Sequence, residues 1–142
     1  MGVMKLKVAG LIVGLGLAFG MGYWLVRPGT CAGCEQVAGT VSVEEFKKLV
    51  GAGTAKLIDV RTPEEFSAGY IEGAVNSDFQ KTAEFGEYLD SLDKSKPYLV
   101  YCRTGRRSGE ALKLMRDKGF TNVADLGGGI AAWEAAGLAV VK

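Results

Sequence analysis

The sequence predicts an α/β domain, in which helices cover both faces of a parallel sheet, preceded by one N-terminal transmembrane helix. Short apolar runs alternate with segments of helical periodicity, and neighbouring parallel strands need such crossover connections. The chain of 142 residues is long enough for one domain core and too short for two. Near the N-terminus, residues 8–26 form an uncharged run of nineteen positions, which is a membrane-spanning length.

The composition excludes several classes of protein. Seventeen basic and 16 acidic residues give a net charge of +1, so we expect neither a nucleic-acid-binding protein nor a disordered polyelectrolyte. The chain has no histidine, which rules out Ser–His, Cys–His and His–metal centres. Its three cysteines cannot form an ordinary four-ligand zinc site. We therefore expect an enzyme or a binding module that uses no metal and no cofactor.

Residues 8–26 are predicted to be a transmembrane anchor that follows a short N-terminal segment, residues 1–7. As a helix this stretch would measure about 28 Å, close to the thickness of the hydrocarbon layer. Tyr23 and Trp24 lie at its end, where aromatic side chains favour the interface of lipid and water. The alternative is a signal peptide cleaved after 18–20, but the apolar run continues past that site. A signal that stays uncleaved would serve as the same anchor.

The flanking charges predict the orientation of this anchor. Lys5, Lys7 and the amino terminus precede it and Arg27 alone follows it, so we expect the domain on the extracytoplasmic side, which is the periplasm in a Gram-negative cell. A stripe of small residues at every fourth position would permit a homodimer through close helix contact, although glycine is common in membrane helices in any case. The stripe consists of Gly10, Gly14, Ala18 and Gly22.

Residues 27–40 are predicted to be a juxtamembrane linker, and residues 41–142 are predicted to be the domain. The linker has no periodicity and contains three glycines, one proline and the CxxC pair Cys31 and Cys34. In the first half of the domain, capping boxes at 42–45 and 62–65 open two helices, the second with Pro63 at its first position. The predicted elements there are the helix 42–51, the strand 56–60, the helix 62–69 and the strand 74–76.

The second half of the domain continues the alternation. The apolar run 98–101 follows Pro97 and is typical of a strand buried on both faces. The following helix presents Ala111, Leu112 and Met115 on one face and stops at Gly119. The predicted elements are the helix 82–92, the strand 98–101, the helix 108–118, the strand 122–126 and the helix 130–136.

Cys102 comes directly after the buried strand, at the end of the sheet where ligands bind in open parallel sheets. A loop between strand and helix points backbone N–H groups and the positive end of the helix dipole inward, which stabilises an anion or a thiolate. Arg103, Arg106 and Arg107 add three cations that favour the thiolate, and Gly105 permits a tight ring. These features favour a nucleophilic Cys102 over a buried structural cysteine beside a basic turn.

Four segments closely resemble a single-domain rhodanese, and the resemblance covers roughly residues 39–139. The segments are 57–66 (LIDVRTPEEF), 69–74 (GYIEGA), 101–108 (YCRTGRRS) and 126–133 (LGGGIAAW). The resemblance implies a rhodanese-like fold with a parallel sheet of about five strands. It implies that Cys102 is the nucleophile and sulfur carrier, that Asp59, Arg61 and Ser108 support the site, and that a loop holds the persulfide. That loop consists of Arg103, Thr104, Gly105, Arg106 and Arg107.

Two positions depart from the pattern of this family. Tyr70 stands where the family usually has histidine, and Glu72 stands where it often has proline. We expect both to lie away from the Cys102 loop and to affect accessory contacts.

The expected function is the transfer of sulfane sulfur from a small anionic donor such as thiosulfate, through a Cys102 persulfide, to a thiol or cyanide acceptor. One alternative is a membrane-tethered persulfide-binding or redox-sensing module without turnover. A Cys-dependent phosphatase is another, but its loop needs Cys-x5-Arg. Ser108 occupies the position of that arginine, and Arg107 makes the spacing Cys-x4-Arg.

The pair Cys31 and Cys34 has two interpretations. It is a local disulfide or two idle thiols, since a single CxxC in a linker is a weak signal. Alternatively, it is a redox partner that attacks the Cys102 persulfide, because the seven residues from Cys34 to Val41 span up to roughly 23 Å when extended.

Overall fold

Strands and helices alternate along residues 37–142, which the computed structural model describes. The strands are β1 (Gly39–Val41), β2 (Lys56–Asp59), β3 (Val75–Asn76), β4 (Tyr98–Tyr101) and β5 (Val123–Leu126). The helices are α1 (Val43–Ala52), α2 (Pro63–Ala68), α3 (Thr82–Asp90), α4 (Arg106–Asp117) and α5 (Gly129–Ala135). The strands form one parallel sheet in the order β1-β5-β4-β2-β3, so the predicted α/β fold with a five-stranded parallel sheet is confirmed.

Helices cover both faces of this sheet. On one face, α3 and α4 bury Phe85, Leu89 and Met115 against the strands. On the other face, α1 and α5 contribute Phe46 and Trp133, whose rings meet edge to face at 6.3 Å between centroids. Every residue of β4 and β5 is buried, as expected for central strands of a covered parallel sheet.

The first strand corrects the predicted boundary between linker and domain. β1 begins at Gly39, inside the predicted linker 27–40, and pairs with β5 through Gly39–Ala124, Thr40–Asp125 and Val41–Leu126. Before it, Val37 is buried, and its N–H donates to Asn122 Oδ1 at 2.8 Å. The strand escaped prediction because three residues with one apolar side chain show no periodicity; its structure depends on pairing with β5.

The start of α4 also differs from the prediction. The helix begins at Arg106, two residues before the predicted Ser108, because Gly105 adopts a left-handed conformation with φ 94° and serves as the N-cap. At α2 the predicted capping box is complete, since the Thr62 hydroxyl accepts from the Glu65 N–H and the Glu65 carboxylate accepts from the Thr62 N–H.

The predicted segments 1–7 and 8–26 lie outside the described residues, as do Cys31 and Cys34. Among residues 37–142, no helix combines the length and the apolar character that crossing a membrane requires.

Candidate active site

The loop after β4 turns back on the side chain of Cys102. Cys102 is 1% exposed, and its Sγ accepts a hydrogen bond from the Gly105 backbone N–H at 3.1 Å. The Ser108 hydroxyl, in the first turn of α4 and fully buried, donates to the same Sγ at 3.4 Å. Two hydrogen-bond donors therefore point at Sγ, and donors in this position stabilise negative charge on a sulfur atom.

The carbonyl groups of the loop are held by the start of α5. The Ile130 N–H donates to the Cys102 carbonyl at 2.9 Å, and the Ala131 N–H donates to the Arg103 carbonyl at 3.1 Å. The first N–H groups of a helix need partners outside it, and here the loop supplies them. These bonds keep the loop carbonyls turned away from the sulfur.

Glycine is required where the loop and the start of α5 meet. Gly129 has φ 63°, and a Cβ there would lie 2.5 Å from the Arg103 carbonyl carbon. A Cβ on Gly105 would lie 3.3 Å from the Gly128 nitrogen. The glycines of the 126–133 segment therefore let two backbones pack directly against each other behind Cys102.

The three arginines of the loop have different environments. Arg103 and Arg106 are exposed, and so is Thr104. Arg107 instead forms two hydrogen bonds with the Glu65 carboxylate of α2, at 2.8 and 2.9 Å. The three predicted cations are all present near the cysteine, but Glu65 offsets the charge of Arg107, which the sequence did not indicate.

The ion pair changes the titration of both partners. Hydrogen bonds from Arg107 lower the pKa of Glu65 to about 2, against the cost of burial. The hydrogen bonds to Glu65 in turn raise the pKa of Arg107. The sequence indicates Glu65 as a capping residue within the segment 57–66, but nothing in its spacing points to a partner 42 positions away.

Asp59 and Arg61 form a buried ion pair at the end of β2. Arg61 donates to both carboxylate oxygens, with its Nη2 2.6 Å from Asp59 Oδ2, and also donates to the Gly69 carbonyl at 2.7 Å. The Arg61 guanidinium lies 5.8 Å from the ring centre of Tyr101, the residue before Cys102. The ion pair therefore packs against the last residue of β4.

Tyr70, the position that departs from the family pattern, takes part in other contacts. Its ring stacks on Phe66 with 4.1 Å between centroids. Its backbone exchanges two hydrogen bonds of 2.9 Å with Val141. Glu72 is exposed. These contacts join α2 to the C-terminal end of the chain.

Comparison with known proteins identifies this architecture. Residues 42–136 match the Rhodanese-like domain family. Thiosulfate sulfurtransferase 16, chloroplastic, of Arabidopsis thaliana is 38% identical over 113 residues, which cover 73% of this chain and 93% of that protein. Human thiosulfate:glutathione sulfurtransferase is 36% identical over 107 residues, which cover 68% of this chain and 93% of that protein.

Other matches show the fold and its use inside a longer protein. A rhodanese-related protein from Thermoplasma volcanium superposes with a TM-score of 0.63 at 27% identity, covering 72% of this chain and 96% of that one. The tRNA uridine(34) hydroxylase of Pelagibacter ubique is 34% identical over 90 residues, but this chain covers only 30% of its length. The chain therefore belongs to the family of rhodanese-like domains.

Proposed function

We propose that the protein is a sulfurtransferase that carries sulfane sulfur on Cys102. The observation that supports this most directly is the pair of donors on Cys102 Sγ, the Gly105 N–H at 3.1 Å and the Ser108 hydroxyl at 3.4 Å. Both donors stabilise negative charge on Sγ, which is the nucleophile when Cys102 takes up the sulfur and the leaving group when the acceptor removes it.

Thiosulfate is the proposed donor. The Cys102 thiolate attacks the outer sulfur, a bond forms between Sγ and that sulfur, and the bond to the sulfite sulfur breaks. Sulfite leaves with the electron pair, so no oxidant or reductant is needed. The exposed Arg103 and Arg106 attract an anionic donor. The printed names of the Arabidopsis and human relatives support the same donor.

A thiolate or cyanide is the proposed acceptor. It attacks the outer sulfur of the persulfide, forms a new bond to it and releases Cys102 as the thiolate. The human relative is named for glutathione as well as thiosulfate, which supports a small thiol.

The spacing of the loop argues against phosphatase activity. A phosphoryl-binding ring needs an arginine at the position of Ser108, and the nearest arginine, Arg107, binds the Glu65 carboxylate. A persulfide-binding module without turnover is the remaining alternative. The two differ in stoichiometry, because an enzyme releases many sulfite molecules per chain and a binding module releases one.

The test is sulfite release from thiosulfate in the presence of cyanide. We expect saturable, repeated turnover with thiocyanate formed in equal amount. A single burst of one sulfite per chain would instead identify the module, and no sulfite at all would reject thiosulfate as the donor.

We also propose that residues 8–26 anchor the protein in a membrane, with the domain on the extracytoplasmic side. The uncharged run, the aromatic pair Tyr23 and Trp24, and the excess of lysine before the run support this proposal. We propose in addition that the stripe of small residues within 8–26 allows two copies of this segment to pack closely as a homodimer.

A further inference from the structure

A groove lies between α4 and β1 and has no part in the steps above. Its volume is about 440 Å³. We call it the α4 groove, and both elements line it, through Gly39, Thr40, Arg106, Gly109, Lys113 and Arg116. Gly39 and Gly109 contribute only backbone, so a ligand can approach the main chain closely at these two positions.

The charged side chains of the α4 groove are mostly basic. Arg106, Lys113 and Arg116 are all exposed. Glu110 also lines the groove, and its carboxylate lies 4.0 Å from Arg106 Nε. Lys113 and Arg116 form no ion pair within residues 37–142. Two cations of the groove therefore have no anionic partner in the described part of the chain, which favours an anionic occupant.

The edge strand β1 adds backbone groups to the same groove. Among the described strands, β1 pairs only with β5. The Val41 carbonyl accepts from the Gly127 N–H at 2.9 Å, and the backbone groups of successive residues in a strand point to opposite sides. The Thr40 N–H and carbonyl therefore point away from β5, where an extended peptide can pair with them. This edge favours a peptide over a lipid surface, because lipid headgroups offer no matching backbone.

One end of the α4 groove lies at the active-site loop. Arg106 is the first residue of α4 and follows Gly105, whose N–H donates to Cys102 Sγ. From Arg106 to Arg116 the helix rises about 15 Å. That length corresponds to about four or five residues of extended chain. A peptide of this length along α4 therefore has one end beside the Cys102 loop.

We propose that the α4 groove binds an acidic, extended segment of a protein that accepts sulfur from Cys102. Its acidic side chains pair with Lys113 and Arg116, and its backbone pairs with Thr40. A cysteine thiolate of that protein attacks the outer sulfur of the persulfide and forms a new S–S bond, while the bond to Sγ breaks and Cys102 leaves as the thiolate. The role as acceptor rests on the proposed sulfurtransferase function, whereas binding of the segment does not.

The first test measures peptide binding to the full chain in neutral detergent by fluorescence anisotropy. The probe is a labelled peptide in which three aspartates alternate with valines. Lys113→Glu/Arg116→Glu reverses both unpaired charges, so we expect the dissociation constant to rise roughly tenfold. Lys47→Glu/Lys48→Glu is the matched control, because it changes the net charge equally at exposed positions of α1, on the other face of the sheet. It should change the dissociation constant less than about twofold at physiological salt.

The second test measures sulfur transfer to the same peptide with a cysteine added at either end. The full chain carries Cys31→Ser/Cys34→Ser, so that only Cys102 is loaded from thiosulfate. Lys113→Glu/Arg116→Glu should raise the KM for the cysteine peptide roughly tenfold and leave the KM for cyanide unchanged.

Equal losses in the two charge-reversal variants, or equal binding of a peptide with asparagine in place of aspartate, would overturn the inference. So would binding of phosphatidylglycerol in place of the peptide. Circular dichroism checks each fold, and Lys113→Gln/Arg116→Gln replaces the charge reversal if that variant does not fold. If the peptide binds as expected and thiosulfate releases no sulfite, the binding site stands and the proposed function fails. Sulfite release without peptide binding gives the opposite result.

Discussion

Glu65 and Arg107 form a two-pronged ion pair, with distances of 2.8 and 2.9 Å, that joins the first turn of α2 to the first turn of α4. The pair fixes the guanidinium plane of Arg107 beside the Cys102 loop and offsets its charge. The exposed cations of the loop are Arg103 and Arg106, and Arg106 lies 4.0 Å from the Glu110 carboxylate, a distance measured from its Nε. The family motif contains both partners, but their contact depends on the fold.

Glu65→Gln should destabilise the domain at neutral pH. The two side chains are 27% and 20% exposed, so after allowance for solvent screening we expect a loss of about 1 to 2 kcal/mol in the free energy of unfolding. Arg107 lowers the pKa of Glu65 from 4.5 to about 2 in the folded domain. The stabilisation by the ion pair is therefore fully present above pH 4.5, and it is lost as the pH falls towards about 2. Urea unfolding at pH 7, 5 and 3 measures the difference.

Glu64→Gln is the matched control, one position earlier in the same helical turn and without an ion pair within the described part of the chain. It should change the stability much less at pH 7. A difference between wild type and Glu65→Gln that stays constant from pH 7 to pH 3 would contradict the assigned role of the pair.

Cys102→Ser should abolish sulfur transfer and leave the fold intact, because serine is nearly isosteric and a poor sulfur nucleophile. After thiosulfate treatment, mass spectrometry should find one added sulfur atom on the Cys102 peptide of wild type and none in the variant. Cys31→Ser/Cys34→Ser is the control and should still load Cys102. Wild-type turnover by Cys102→Ser would refute the mechanism.

Gly129→Ala should disrupt the contact between α5 and the Cys102 loop. Its Cβ would meet the Arg103 carbonyl carbon at 2.5 Å with φ at 63°, and we expect a loss of about 3 kcal/mol in stability. Gly86→Ala is the control: Gly86 lies within α3 with no atom within 4 Å of an added Cβ, so alanine should stabilise the domain by about 0.5 to 1 kcal/mol. Thermal unfolding of both variants gives the comparison, and equal midpoints would show that the close approach is unimportant.

The proposed membrane anchor predicts that the full chain stays in membranes after a carbonate wash and that a C-terminal reporter behaves as extracytoplasmic. Labelling of an introduced cysteine near Lys142 by an impermeant reagent checks the orientation in intact cells. If the reagent does not label that cysteine, the proposed orientation is wrong. Release of a chain that begins near Met21 would identify a cleaved signal peptide.

The pair Cys31 and Cys34 is predicted to act as an internal acceptor for the Cys102 persulfide. A reduced CxxC thiolate would attack the outer sulfur, and the second thiolate would then release that sulfur as hydrosulfide and form the Cys31–Cys34 disulfide. With both proteins pre-reduced and no external thiol added, the persulfide should last longer in Cys31→Ser/Cys34→Ser than in wild type. Equal lifetimes would leave the pair without this role.

The alternation of elements and the position of Cys102 could be predicted from the sequence because both depend on local signals. Apolar runs, capping boxes and terminal glycines determine where helices and strands form along the chain. A parallel sheet then brings the ends of its strands to one edge, which places the loop after β4 at the usual site. The resemblance of the segment 101–108 to a rhodanese loop added the expectation that Cys102 carries sulfur.

Only the tertiary structure decided which residues complete the site. β1 forms because β5 provides its partner, Glu65 meets Arg107 across 42 positions, and the Thr40 hydroxyl of β1 donates to Asp125 of β5. None of these contacts leaves a pattern in the sequence, because each joins residues from elements that are far apart along the chain. Their energies depend on burial and on distance, and the packing of the sheet and its helices sets both.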